Sequence, residues 1–163
     1  MVKIMDVKGI PIVCLKDDSR AGFLMEPIYD ESNSIIGFLV DQIGLSFGRK
    51  FIALEDCLRI DKNNCIIYSD SAIRKLPRKQ YYKRNNEMEK LLGRNVVTRD
   101  GKGLGVVRDL VFDIETGSIE GFELSRGFME DVVQGRNLLL LRDGVEFAED
   151  HIIAGRSDWD EKE

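Results

Sequence analysis

The chain of 163 residues is 43% hydrophobic and 33% charged, which is the composition of an ordinary globular protein. It contains no run approaching the roughly 20 apolar residues of a membrane helix, and we expect no secretory signal at its N-terminus. The net charge of −5 argues against non-specific nucleic-acid binding by the whole surface. Three cysteines without paired spacing favour a reducing cytoplasm over a disulfide framework, and a single histidine excludes a histidine-rich metal site.

The first half of the chain predicts a β-rich module over residues 1–76. Residues 1–8 lead into this module, and residues 71–76 predict one helical turn that Pro77 stops. Residues 77–86 form a basic linker to the second half, so we place the domain boundary there.

The basic segment, which we define as residues 74–84, stands out from an acidic chain. Residues 74–90 contain seven basic residues against Glu87 and Glu89, whereas residues 142–163 contain eight acidic residues against three basic ones. Cations supply phosphate contacts and tyrosines stack on bases, but the same composition suits an acidic protein or a solvated linker. The candidate partner-binding residues are Arg74, Lys75, Arg78, Lys79, Tyr81, Tyr82, Lys83 and Arg84.

The second module, residues 87–155, has the clearer pattern. Residues 85–93 predict a short helix with an Asn cap, Asp100 begins a turn, and Gly117 predicts a hairpin with a left-handed glycine. Short strands are predicted at residues 96–98, 104–114, 119–125, 138–141, 145–147 and 152–154. These strands predict a small antiparallel barrel or sandwich, and the acidic residues 156–163 predict a mobile tail.

The two halves of the sequence repeat one another. A shift of 84 residues aligns Gly9 with Gly93, and it places Asn33, a residue that tolerates a left-handed backbone, on Gly117. Further matches at this shift are Val13 with Val97, Glu31 with Glu115, Ser34 with Ser118, Ile35 with Ile119, Gly37 with Gly121 and Phe38 with Phe122. A shift of 87 residues aligns residues 48–54 with 135–141. Matches in this order predict two tandem copies of one module.

The second copy resembles a known family. The segment GRNVVTRDGKGLGVVRDLVFDIETGSIEGFEL, followed by GRNLLLL and HIIA, is similar to the PRC-barrel family, which takes its name from the photosynthetic reaction-centre H subunit. The resemblance covers residues 91–154 well, and residues 7–68 less well because residues 18–22 replace the Asp-Gly-Lys turn. It implies an all-β fold of two tandem small barrels and a role in binding and assembly. The family also includes a domain of a ribosome-maturation factor, and we expect no photosynthetic role here.

Other residues that carry chemistry have a structural interpretation that we favour. Residues 101–105 lack the spacing of a phosphate-binding loop and predict a hairpin turn. Free, packed thiols are expected at Cys14, Cys57 and Cys65, because no pair has zinc-site spacing, and a surface side chain at a strand start is expected for His151. Solvated turn carboxylates are expected at Asp17, Asp18, Asp109, Asp113 and Glu115.

The sequence therefore predicts a non-enzymatic adaptor without a cofactor, a metal ion or a small-molecule substrate. Its expected partner is a protein or a ribonucleoprotein. An RNA- or ribosome-associated factor that uses the basic segment is the first alternative, and a small ligand bound at the interface of the two modules is the second. We expect no insertion into a membrane, and homodimer formation is left open.

Overall fold

The computed structural model describes residues 1–42, 49–76, 78, 82–83, 87–125 and 137–155, and its backbone is mostly β-strand, as predicted. The chain divides into two compact units. Unit 1 comprises Met1–Asn86 together with Phe112–Ile119, and unit 2 comprises Glu87–Val111 together with Glu120–Glu163. A segment that the sequence places inside the second module, Phe112–Ile119, therefore belongs to unit 1.

Unit 1 is organised around one sheet, formed by β2 to β8. The elements of the unit are β1 (Val2–Lys3), α1 (Ile4–Val7), β2 (Pro11–Cys14), β3 (Arg20–Tyr29), β4 (Ile35–Asp41), β5 (Lys50–Ala53), β6 (Arg59–Ile60), β7 (Cys65–Ile67) and β8 (Arg74–Lys75), with 3-10 turns at Leu54–Asp56 and Asp70–Ala72. The strand order is β6-β7-β2-β3-β4-β5-β8, and β2 pairs with β7 in parallel. Because side chains alternate along a strand, β2, β3 and β4 bury Ile12, Leu24 and Phe38 completely.

The second half of the chain contributes six strands of another sheet. These strands are β9 (Asn95–Val97), β10 (Gly103–Phe112), β11 (Ile119–Leu124), β12 (Leu138–Leu140), β13 (Val145–Phe147) and β14 (His151–Ala154), with 3-10 turns at Glu89–Leu91 and Leu141–Asp143. These strands follow the order β13-β14-β9-β10-β11-β12, and β9 pairs with β14 in parallel. When β9 to β14 are matched one by one with β2 to β7 in chain order, this strand order corresponds to the order β6-β7-β2-β3-β4-β5 in unit 1. Val96, Phe122 and Ile152 are fully buried in the core of unit 2.

Three local predictions are corrected by the structure. Each sheet contains a parallel pair, so the expectation of a purely antiparallel arrangement is wrong. Residues 71–76, predicted as a helical turn, form the end of a 3-10 turn and then β8, because their backbone pairs with β5. Within the predicted helix 85–93, the described residues form only the 3-10 turn Glu89–Leu91, and Gly93, with a φ of 86°, follows its end.

The hairpin between β10 and β11 is shaped by Asp113 and Gly117. The Asp113 Oδ1 atom accepts two backbone N–H groups of the turn at 2.7 and 3.1 Å. Gly117 has a φ of 75° and Asn33, in the hairpin between β3 and β4, has a φ of 66°, which confirms the left-handed positions predicted for both. The Ile35 N–H donates to the Gly117 carbonyl oxygen at 2.7 Å and so fixes the hairpin tip within unit 1.

An aromatic contact adds to this attachment. The ring of Phe112 is fully buried, and its centroid lies 6.3 Å from that of Phe38 at an interplanar angle of 55°. Tilted ring pairs at this separation are favourable beyond the area that they bury. In the described part of the chain, no helix is long and apolar enough to cross a membrane.

Candidate functional site

The basic segment is partly described by the structure. The described members belong to unit 1 and are Arg74, Lys75, Arg78, Tyr82 and Lys83. The predictions for Lys79, Tyr81 and Arg84 fall outside the described residues. Three of the described cations, Arg74, Lys75 and Arg78, are exposed, whereas Lys83 is half-buried and Tyr82 is buried.

β8 is the terminal strand of the unit 1 sheet. It pairs antiparallel with β5, so that Lys75 lies opposite Lys50. The Leu76 N–H extends this pairing by donating to the Arg49 carbonyl oxygen at 3.1 Å. On its other side, β8 pairs with no strand among the described residues. This side of β8 therefore offers backbone N–H and C=O groups to another extended chain.

The pairing of β5 with β8 gathers cations at the same edge. We define the basic edge as Arg49, Lys50, Arg74 and Lys75. Arg74 forms an ion pair in which Nη2 lies 2.9 Å from the Asp56 Oδ2 atom. Within the described part of the chain, Arg49, Lys50 and Lys75 form no salt bridge. Three of the four cations of the basic edge therefore have no ion-pair partner among the described residues, and Arg74 is paired with Asp56.

Tyr82 anchors the basic segment to the core of unit 1. Its side chain is 9% exposed and packs in an apolar cluster that includes Ile28 and Phe51. The next residue, Lys83, exchanges backbone hydrogen bonds of 2.8 and 2.9 Å with Tyr29. A ring must be exposed to stack on a base. The structure therefore removes Tyr82 from the surface that a partner can contact, because the apolar cluster takes up its ring.

Lys83 lies near a carboxylate of its own unit. The Asp30 Oδ1 atom accepts hydrogen bonds from the Ser32 N–H (2.9 Å), the Ser32 hydroxyl (2.6 Å) and the Ser34 N–H (3.0 Å). Burial acts to raise the pKa of Asp30, but these bonds and the charge of Lys83 outweigh it and hold the pKa below its usual range. Part of the charge of Lys83 is thus compensated inside the unit.

A pocket of about 420 Å³ lies beside the basic edge in unit 1. Ile35, Phe51 and Leu54 provide apolar lining, and Arg74 and Glu115 add charged groups. Because Arg74 belongs both to the pocket and to the basic edge, a partner held at the edge lies within reach of an apolar surface.

Sequence analysis missed Arg49 and Lys50 as members of this site. They are distant from β8 along the chain, and only the pairing of β5 with β8 brings them to the basic segment. In the sequence, these two cations stand directly before an apolar run. Such a pattern is common at the start of a strand and does not indicate a binding site.

Other candidate residues occupy structural positions. Of residues 101–105, predicted to form a hairpin turn, Gly101 precedes β10 with a φ of 87°, whereas residues 103–105 already belong to β10. His151 begins β14, and its hydrogen bond to Asp150, 2.6 Å from Nδ1 to Oδ1, holds the pKa of Asp150 below its usual range. The expectation of a solvated turn carboxylate is wrong for Asp109, which is 5% exposed and begins a stretch of β10, residues 109–112, that is buried throughout. No cluster of three or more metal-binding side chains occurs among the described residues.

Comparison with known proteins identifies the family of one segment. Residues 85–154 match the family model of the PRC-barrel domain, which confirms the predicted resemblance for this part of the chain. The matched residues include β9 to β14. No curated protein matches the sequence significantly.

Proposed function

We propose that the chain is a non-enzymatic adaptor that binds an acidic, extended protein segment at the basic edge of unit 1. The observation that carries this proposal is that one edge of β8 pairs with no strand in the part of the chain that the structure describes, and that β5 and β8 both carry cations there. An acidic segment added as a further strand would pair with the backbone of β8 and place carboxylates near Lys50 and Lys75.

We also propose that the first half of the chain is a second PRC-barrel module. The sequence repeat supports this assignment, and so does the strand order that β2 to β7 share with β9 to β14. The parallel pairs β2–β7 and β9–β14 occupy equivalent places in that order. A role in binding and assembly then follows by analogy with the family, and the basic edge supplies the specific contact.

An acidic protein fits the basic edge better than RNA does. Binding of single-stranded RNA combines cations with exposed aromatic rings, and Tyr82 is buried. The open backbone of β8 also suits a polypeptide, because RNA offers no strand to pair with it. We therefore treat RNA binding as one outcome of the test. A small ligand between the modules stays a prediction.

The test compares two charge-reversal variants of the full chain. Lys50→Glu combined with Lys75→Glu reverses the basic edge, whereas Lys16→Glu combined with Lys62→Glu reverses two exposed lysines elsewhere in unit 1. Fluorescence anisotropy measures the binding of a peptide of alternating glutamate and valine, and of single-stranded oligouridylate. We expect the wild type and the control variant to bind the peptide alike. The edge variant should bind at least tenfold more weakly, which corresponds to about 1.4 kcal/mol.

Each other outcome has a defined meaning. Equal affinity of the edge and control variants for the peptide, with unchanged circular dichroism, would overturn the proposed site. Binding of oligouridylate but not of the peptide, lost in the edge variant, would replace the acidic protein with RNA.

A further inference from the structure

Two cysteine side chains touch in unit 1. Cys57 follows the 3-10 turn Leu54–Asp56, and Cys65 begins β7. Their Sγ atoms lie 3.6 Å apart, and the Cys57 thiol also donates to the Ala53 carbonyl oxygen at 3.4 Å. Both thiols are free. The remaining cysteine, Cys14, is buried on β2.

We propose that Cys57 and Cys65 are a redox site, which forms a reversible intramolecular disulfide on reaction with a peroxide. A disulfide holds its sulfurs about 2.05 Å apart, so these Sγ atoms must approach by about 1.5 Å from their separation of 3.6 Å. The backbone near the pair is held by β6 and β7, where Ile60 lies opposite Cys65 and the Leu58 N–H donates to the Ile66 carbonyl oxygen at 2.8 Å. The approach can therefore come from side-chain rotation and a small shift of the 3-10 turn.

Cys57 is the thiol that an oxidant reaches. It is half-buried and lines a pocket of about 340 Å³ together with Leu58 and Ile114, whereas Cys65 has no exposed surface. The hydrogen bond with Cys65, together with burial, raises the pKa of the Cys57 thiol. Because the thiolate is the attacking species, little of it is present at neutral pH and the reaction is slow.

The reaction balances with hydrogen peroxide as the oxidant. The Cys57 sulfur attacks one peroxide oxygen, the O–O bond breaks, and a sulfenic acid forms at Cys57 with release of one water. The Cys65 sulfur then attacks the Cys57 sulfur, the S–O bond breaks, and a second water leaves with the remaining thiol proton. Two thiols are oxidised to one disulfide, and one peroxide is reduced to two waters.

The experiment maps the disulfide in the folded full chain. The wild type and Cys14→Ala are treated with hydrogen peroxide, quenched, alkylated under denaturing conditions and digested without a reductant for mass spectrometry. We expect a cross-linked peptide that joins Cys57 to Cys65 in both proteins, alkylated Cys14 in the wild type, and restoration of both thiols by dithiothreitol. Cys57→Ala should give no cross-link, and its circular dichroism reports whether it folds.

Three results would overturn the proposal, and each is read from the wild type alone. One is complete alkylation of all three cysteines after peroxide treatment. Another is sulfinic acid at Cys57 with Cys65 still reduced, which would show that the second thiol does not capture the first. The last is a disulfide that contains Cys14. As a comparison, the chain is also oxidised while it is unfolded in denaturant, where the specific pairing of Cys57 with Cys65 should be lost.

Discussion

Units 1 and 2 share one strand order but differ at one edge of it. In unit 1, β5 is followed in the sheet by β8, whereas the equivalent strand β12 is the last of its sheet among the described residues. β8 has only two residues, Arg74 and Lys75, and both are exposed. The comparison teaches that two sheets with the same strand order can differ in surface charge when one of them has an additional short strand at its edge.

The hairpin tips differ in a second way. Asn33 and Gly117 have nearly the same φ, so the backbone is repeated. The steric demand is not repeated, because a Cβ atom on Gly117 would overlap the carbonyl oxygen of Ile35. Equivalent positions can therefore share a backbone conformation and still differ in how strongly a substitution destabilises the fold.

The largest effect is expected from Phe112→Ala, which tests whether Phe112–Ile119 belongs energetically to unit 1. Phe112 is fully buried against Phe38, so removing its ring leaves a cavity and should cost about 3–5 kcal/mol in the free energy of unfolding. Hydrogen exchange should show lost protection in β4 and β5. The matched control is Phe122→Ala, a fully buried ring of unit 2 that packs against Phe147, and this change should instead affect β11 and β13. Lost protection in unit 2 alone after Phe112→Ala would break the division into these units.

Gly117→Ala should be next in size. Gly117 has a φ of 75°, which strains an alanine, and the new methyl group would also overlap the Ile35 carbonyl oxygen. Together these effects should lower the free energy of unfolding, measured in urea, by about 2–4 kcal/mol. Gly9→Ala is the matched control, because Gly9 has a φ of 83° but no atom within 4 Å of the added Cβ, and strain alone should cost about 1 kcal/mol. Equal losses would mean that the close approach at Ile35 is unimportant.

Asp30→Asn should have a smaller effect that depends on pH. The folded chain holds the pKa of Asp30 below the usual value of about 4, so its stabilisation is complete above that value and is lost as the pH falls through the folded pKa. The substitution weakens the hydrogen bonds from Ser32 and Ser34 and should cost about 1 kcal/mol at pH 7. Chemical unfolding from pH 7 downward should show the difference from the wild type shrinking in acid. A constant difference would contradict the charge-based explanation.

Arg74→Ala should change stability least. The Arg74–Asp56 ion pair is solvent-exposed, with side-chain exposures of 58% and 35%, so its loss should cost at most about 1 kcal/mol. Affinity for the glutamate–valine peptide should nevertheless fall, since a cation of the basic edge is removed. Thermal melting and anisotropy separate the two effects. A large loss of stability would make Arg74 a structural residue of unit 1 rather than part of a binding surface.

Local features of this fold could be read from the sequence, and features that depend on distant partners could not. The left-handed positions at Asn33 and Gly117 follow from residue type and turn context, and the strand predicted at residues 145–147 is confirmed as β13. The parallel pairing of β2 with β7 has no local signature, because the same apolar strand suits either direction.

The candidate site was harder to predict for the same reason. The composition of the basic segment identified its cations, but it could not indicate that Tyr82 fills an apolar cluster or that β5 supplies Lys50. Asp109 shows the converse error. A carboxylate near a turn is usually solvated, but this one begins a run of four buried residues in β10, 109–112.

The attachment of Phe112–Ile119 to unit 1 bears on which stretch of the chain a gene fragment must encode. A gene fragment that encodes only residues 1–86 would lack the Phe112 ring that packs on Phe38 and the Gly117 carbonyl that accepts the Ile35 N–H. The apolar surface left uncovered would favour aggregation. Residues 1–86 are thus not a self-contained unit, and we expect that a gene fragment must also encode Phe112–Ile119 to give a stable domain.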